Sequence, residues 1–529
     1  MLMKQKIRTF ILNKSFLIIF SIGITFLFLN LNLKNVSSDN KFDRVNTFFK
    51  VLRLIQENYV TEPDTDLLVD GAISGMIDKL DPHSIYINKS DYQETNESMD
   101  GEFEGIGVEF SIIDDYITVI TPIIDGPAYK AGIQSGDQIV KIDGESAYQI
   151  TIPNVLKKLK GPKDTQVEVT ISRKGSDLFN RVLVRDKIPI KSVSTHFMID
   201  DNVGYIKLSN FSKKTIEEFN SAFYDLKQSG MENLLLDLRD NPGGLLDQAI
   251  DLLDMFIATN DTLLFTRGRI RGSNSIFKAS YSRFDEQLPI ISIINRGSAS
   301  ASEIVSGTLQ DLDRGLVIGE TSFGKGSVQQ HYDLDNETAA RITIAKYHTP
   351  SGRSIQRDYE DGDEKYYDNL IMENRELSDS LKNTLPQFKT KKGRTVYGGG
   401  GINPDIYYRD TLSLSKASID LIYNPNRYIF NYSESLKNDY QDKDYFDLVK
   451  SSSKKINFND FIQWLEANSS DSYNKKELKE NWENIKMRII AEIANKFLGR
   501  TYYYKVLIMN DKTVQESLKY FNEAKTLLN

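Results

Sequence analysis

At 529 residues the chain is too long for one ordinary domain, so several are expected. Its 40% hydrophobic and 26% charged residues are globular in balance, and a formal net charge of −8 argues against nucleic acid as the main partner. The absence of cysteine excludes disulfides, thiol nucleophiles and cysteine zinc sites, and the four scattered histidines (His83, His196, His331, His348) form no metal-binding pattern, so neither metal nor cofactor is expected.

Lys4, Lys6, Arg8 and Lys14 precede Ser15–Leu33, an uncharged run of 19 residues, and no acidic residue occurs before Asp39. That is close to the ~20 residues a helix needs to cross a bilayer, and the charge bias keeps the N-terminus in the cytoplasm. Residues 1–38 therefore read as a cytoplasmic tail plus a membrane anchor, with the rest of the chain exported from the cytoplasm. A signal peptide cleaved near Val36-Ser37-Ser38 is the rival reading. Residues 39–100 form an N-terminal helical region. Val45, Phe48, Phe49, Leu52 and Ile55 recur at helical spacing over 41–60. This face would pack on its own domain or on a second subunit. A short helix is expected over 66–80, followed by the turn "LDPHSIYI", in which His83 reads as a polar turn residue.

Residues 101–187 carry short alternating runs punctuated by Gly, Pro and Asp, the signature of a β-rich module. Within it, "GPAYKAGIQSGDQIVKIDG" (126–144) resembles the PDZ domain pattern. Upstream, "EGIGVEF" (104–110) sits where a PDZ domain has its carboxylate-binding loop. Gly105 and Gly107 let successive N–H groups of the Gly105-Ile106-Gly107-Val108 stretch face one concavity, which can hold a peptide's terminal carboxylate. The strand that follows can pair with the peptide by β-augmentation.

Residues 188–410 alternate apolar strand-like runs with helical ones, the pattern of an α/β layer around a largely parallel sheet. Residues 411–529 read as a helical C-terminal extension. Ile485, Ile489, Ile490, Ile493 and Phe497 mark one apolar face there, and "VQESLKYFNEAKTLL" is a second helix. No chemistry-bearing motif occurs in this extension; contacts between subunits are its default role.

The chemistry concentrates at "GSASASEI" (297–304), directly after the apolar run "LPIISIINR". A serine hydroxyl needs a base to act as a nucleophile, and no histidine lies nearby. A lysine serves if desolvation and neighbouring groups keep it neutral. Lys325, in the glycine-rich "GETSFGKGSVQQ" (319–330), is the candidate. This stretch nearly matches a P-loop, but Gly326 replaces the Ser/Thr that would bind Mg²⁺. Ser300 falls at a strand-to-helix junction, where free N–H groups and the helix dipole favour a negatively charged intermediate. Ser298 and Ser302 read as a turn or N-cap residue and a helix-face residue, and Glu303 as part of a capping arrangement.

"GSASASEI", "TSFGKGSVQQ" and "GGGINPD" behind a PDZ-like module resemble the carboxyl-terminal processing peptidases, the tail-specific S41 serine proteases, over residues 40–410. The resemblance implies an α/β core of ClpP/crotonase-like fold with an inserted PDZ domain. It implies Ser300 as nucleophile, Lys325 as general base and Gln329 as the residue that orients the lysine. Ala301 would donate one oxyanion-hole N–H, and Gly243 or Gly244 the other. The PDZ module would bind substrates with free, apolar C-termini, with an adaptor or self-association as a further partner. The rival functions are a catalytically silent PDZ scaffold and a crotonase-like acyl-CoA enzyme.

Overall fold

The computed structural model describes residues 40–280, 287–360, 362, 366–367, 382–410 and 414–529. The anchor expected at Ser15–Leu33 lies outside them, and no helix among the described residues is long and apolar enough to cross a membrane. The chain divides into two units, Met1–Lys79 and Leu80–Asn529. In the first, helices Asn40–Asn58 and Thr65–Ile77 form where expected. Asp64 starts the second by accepting the N–H groups of Asp66 and Leu67, as an N-cap aspartate should. Val45, Phe48 and Phe49 of the first helix are exposed.

The larger unit contains a small β domain. Strands Val108–Ile113, Tyr116–Pro122, Gln138–Ile142, Gln166–Ser172 and Phe179–Val184 form one antiparallel sheet, with Val108–Ile113 at its edge. Burial alternates along Gln166–Ser172, which turns Val167, Val169 and Ile171 inward. Helix Ile152–Leu159 adds Val155 and Leu159 to the same core. Strands Glu102–Gly105 and Asp186–Pro189 pair antiparallel and bring the domain's entry and exit together.

The α/β core is a six-stranded sheet in the order Val193–Asp200, Val203–Leu208, Asn233–Asp237, Ile290–Ile294, Leu316–Gly319, Ile406–Tyr407. Only the first pair is antiparallel. Period-two alternation sends Ile206, Leu234 and Leu236 to one face and Tyr205, Leu235 and Ile293 to the other. Helices Thr215–Gln228, Leu246–Asp254 and Ala301–Asp311 cover the first face through Phe219, Leu252 and Ile304. The second face is covered by the C-terminal extension, through Ile508, Val514 and Ala524. The extension is thus part of the core's packing. Its helix Trp482–Leu498 buries Ile485, Ile489, Ile490 and Ile493 as expected. The expected second helix is instead broken into Lys512–Ser517, a 3-10 turn at Leu518–Tyr520, and Phe521–Leu528. Phe430 packs with Ile113 and Ile120 of the β domain.

A second sheet, five-stranded and antiparallel, was not anticipated. It contains Ile85–Ile87, Thr262–Gly268, Ser275–Lys278 and the hairpin of Ser327–Asp333 with Ala339–His348. Helix Lys89–Asp100 likewise gave no sequence signal, because its side chains are almost all polar.

Candidate active site

The strand Ile290–Ile294 ends in a tight turn that delivers Ser300 to the start of helix Ala301–Asp311. Ser298 ties the turn: its Oγ accepts from Asn295 N–H at 3.0 Å and donates to the Leu238 carbonyl at 2.8 Å. Ser302 Oγ donates to the Asn241 carbonyl at 3.0 Å, so it joins the helix to the Asn241–Gly244 loop. Ser300 has φ 54° and ψ −113°, a conformation costly for any residue with a Cβ.

Glu303 holds that conformation. Its carboxylate is fully buried and accepts four hydrogen bonds. Oε2 takes the N–H of Ser300 at 2.9 Å and that of Lys325 at 2.8 Å. Oε1 takes the N–H of Gly324 at 2.7 Å and Ser322 Oγ at 2.5 Å. Burial raises its pKa, and these donors oppose the rise. Tyr347 adds a second tie, since its hydroxyl reaches the Lys325 carbonyl at 2.5 Å and the Ser300 carbonyl at 3.2 Å.

Ser300 and Lys325 both line a cleft of about 620 Å³, together with Ala301, Gly243, Gly244 and Gln329. The Lys325 amine has a lowered pKa; burial is the main cause, and Arg341 adds to it, while Glu303 and Asp81 oppose it. Gln329 does not hydrogen-bond Lys325. Its Nε2 donates to Ser327 Oγ at 2.7 Å and Thr343 Oγ1 at 3.3 Å, and Thr343 in turn donates to Asp81 Oδ1 at 3.0 Å.

The loop beside Ser300 distinguishes its two glycines. Gly243 N–H is engaged by Asn241 Oδ1 at 2.9 Å, whereas Gly244 N–H and Ala301 N–H have no hydrogen-bond partner among the described residues. A Cβ on Gly243, at φ 97°, would lie 2.8 Å from Ser300 Cβ. Only glycine lets this loop approach the serine so closely.

The Gly105–Val108 stretch lies in the β domain and does not line this cleft. Ile106 and Gly107 direct their carbonyls to Ala128 and Ile123 N–H at 2.9 Å, and their own N–H groups make no hydrogen bond among the described residues. His83 is buried rather than a solvated turn residue. Its Nε2 lies 3.1 Å from Tyr366 Oη, and burial, followed by Lys325, pushes its pKa down to about 4. Arg341, which lines the cleft, and Thr343 and Asp81, which form a chain from Gln329, were also missed by sequence reasoning, because strand pairing, not spacing, brings them together.

A serine held at a strand-to-helix turn, a buried lysine in the same cleft and a separate small β domain fit a serine-type peptidase with a peptide-binding module. Peptidase family S41 matches residues 202–366, the PDZ domain residues 118–173, and the activating protease CtpB N-terminal domain residues 29–91. The carboxy-terminal-processing protease of Bartonella bacilliformis is 40% identical over 60% of this chain and 74% of its own length. The carboxy-terminal processing protease CtpA of Bacillus subtilis is 35% identical over 61% of this chain and 68% of its own. A solved photosystem II D1 C-terminal processing protease is 25% identical, covers 70% of this chain and 95% of its own, and gives a TM-score of 0.35. The chain belongs to the carboxy-terminal processing proteases of peptidase family S41.

Proposed function

We propose that this protein cleaves envelope proteins near their free C-termini by Ser-Lys acyl-enzyme chemistry. Ser300 is the nucleophile. Neutral Lys325 removes its proton as Ser300 attacks the peptide carbonyl. Ala301 and Gly244 N–H groups receive the oxyanion, with Gly243 supplying the close approach. The proton on Lys325 passes to the leaving amine, and water then hydrolyses the acyl-enzyme. Gln329 orients Lys325 after its amide swings from Ser327 and Thr343. The observation that carries this reading is Glu303, whose one carboxylate fixes the backbone of both Ser300 and Lys325 at the same cleft.

The β domain binds the substrate's terminal carboxylate at the N–H groups of Ile106 and Gly107, between Gly105 and Val108, and its edge strand pairs with an apolar tail. The residue 15–33 segment anchors the chain in the inner membrane with its peptidase in the periplasm. The exposed Phe48 and Phe49 face serves self-association or an adaptor. Sedimentation of wild type against a Phe48→Ser, Phe49→Ser variant tests that surface.

The deciding experiment offers the full chain a protein with an apolar tail. Wild type should shorten it, and Ser300→Ala and Lys325→Ala should not. Cleavage by both variants would overturn the dyad. Binding without cleavage by wild type would make the protein a scaffold.

A further inference from the structure

One cation in the cleft helps lower the pKa of Lys325 but has no partner of its own in the reaction above. Arg341 lies on strand Ala339–His348 and lines the cavity that holds Ser300 and Lys325. It pairs in register with His331, and the neighbouring pair on the same face is Thr343 with Gln329. Its side chain is half-buried, yet it makes no hydrogen bond and no ion pair among the described residues. Asp91 and Glu94 line the same cleft from helix Lys89–Asp100, and neither forms an ion pair with it.

A partly desolvated guanidinium is costly to leave unpaired. Its planar fork of donors matches a carboxylate, which it can hold through two parallel hydrogen bonds. The hairpin around it is tied down at Thr343, which receives Gln329 and donates to Asp81, so Arg341 presents its charge from a fixed floor.

We propose that Arg341 binds a carboxylate of the substrate in the catalytic cleft, beside the scissile bond. The source is either an Asp or Glu side chain flanking that bond or the α-carboxylate of a short tail. The proposal rests on the peptidase reading and adds to it a charge selection made at the cleft, separate from the carboxylate loop of the PDZ domain. It predicts that tails are selected twice, once by their end and once by an acidic group near the cut.

The test uses the full chain and peptides built around one bond mapped in a cleaved tail. Each peptide carries a single Glu or Gln at one of three positions on either side of that bond, with a free or amidated C-terminus. Wild type should favour Glu over Gln at one position, or free over amidated ends, by about tenfold or more in kcat/KM. Arg341→Gln should lose that preference while still cleaving the neutral peptide, which also shows that it folds. Arg341→Lys, which keeps charge without the fork, should fall between. Loss confined to the Glu series assigns a side-chain carboxylate, and loss confined to the free-end series assigns the α-carboxylate, because the PDZ loop is unchanged in both enzymes. No preference in wild type, or one that survives in Arg341→Gln, overturns the proposal. Affinities of the same peptides for Ser300→Ala, with and without Arg341→Gln, report the carboxylate site even if cleavage fails, so failure of the peptidase reading is seen separately.

Discussion

Glu303 Oε2 accepts the backbone N–H of Ser300 and the backbone N–H of Lys325, at 2.9 and 2.8 Å. Two loops from different parts of the fold meet on one oxygen. Glu303→Gln keeps the shape but replaces one acceptor oxygen with a donor NH₂. At least one of the two oxygens' donor pairs is then left facing a donor. The expected result is a fall in kcat of about a hundredfold, the scale of a 1 Å misplacement in an active site. Secondary structure by circular dichroism should be retained. Wild-type kcat in Glu303→Gln would refute the clamp.

The proposed role of Lys325 as general base predicts a pH profile. A general base must be neutral, and burial, followed by Arg341, lowers its pKa. Activity should therefore rise with pH below the ordinary lysine range of ~10.4 and level off once the amine is neutral. The charged or titratable groups that act on Lys325 or are acted on by it are Arg341, Glu303, Asp81 and His83. Removing the positive Arg341 should move the rise to higher pH, and removing the negative Glu303 should move it to lower pH. Kinetic profiles of Arg341→Gln and Glu303→Gln displaced in the same direction would contradict this electrostatic account.

Lys325 also carries a stability cost with a defined sign. Its folded pKa lies below its unfolded value, so folding opposes protonation. The cost is full below the folded pKa and disappears as pH rises through it towards the unfolded value. Lys325→Met should raise Tm at neutral pH, and the gain should shrink on approach to pH ~10.4. Calorimetry at several pH values checks it; a gain independent of pH would mean that packing, not charge, is responsible.

Gly244 and Gly243 should fail for different reasons when changed to alanine. A Cβ on Gly244 would lie 2.1 Å from the Phe211 carbonyl oxygen, so the loop must move away from the Phe211 backbone. A Cβ on Gly243 would press on Ser300 itself. Gly244→Ala should lower kcat by about 10²–10³-fold, as loss of an oxyanion donor does, and Gly243→Ala by about 10²-fold, through misplacement of Ser300. Only Gly243→Ala should also slow reaction of Ser300 with a fluorophosphonate more than tenfold, an expectation on the same scale of misplacement. Equal labelling rates for the two variants would argue against this division of roles.

That Ser300 and Lys325 meet at one cleft was legible because small residues at a strand-to-helix junction and a glycine-rich loop each leave a local pattern. The parallel strands were legible as continuous apolar runs, and helix Trp482–Leu498 as a periodic face. What was hidden depends on contacts between distant segments. Glu303 looked like a capping residue, and its bonds to Gly324 and Lys325 exist only once the two loops meet. Strand Ser327–Asp333 reads as loop because its outer residues are polar and exposed. Asp81 and Thr343 lie far apart in sequence and meet through the pairing of Ile85–Ile87 with Ala339–His348. The choice of Gly244 over Gly243 required knowing where each N–H already points.

Arg239 precedes the loop that reaches Ser300, and its Nη1 donates to Asp511 Oδ2 at 2.9 Å while its remaining donors hold buried Asp237. Asp511 caps helix Lys512–Ser517, whose Val514 lies on the second face of the sheet. The far end of the chain therefore works as a tensioning strap on the Asn241–Gly244 side of the cleft. Damage there, by nicking or by a charge reversal at Asp511, would slacken turnover while leaving the serine, the lysine and the tail-binding domain chemically intact.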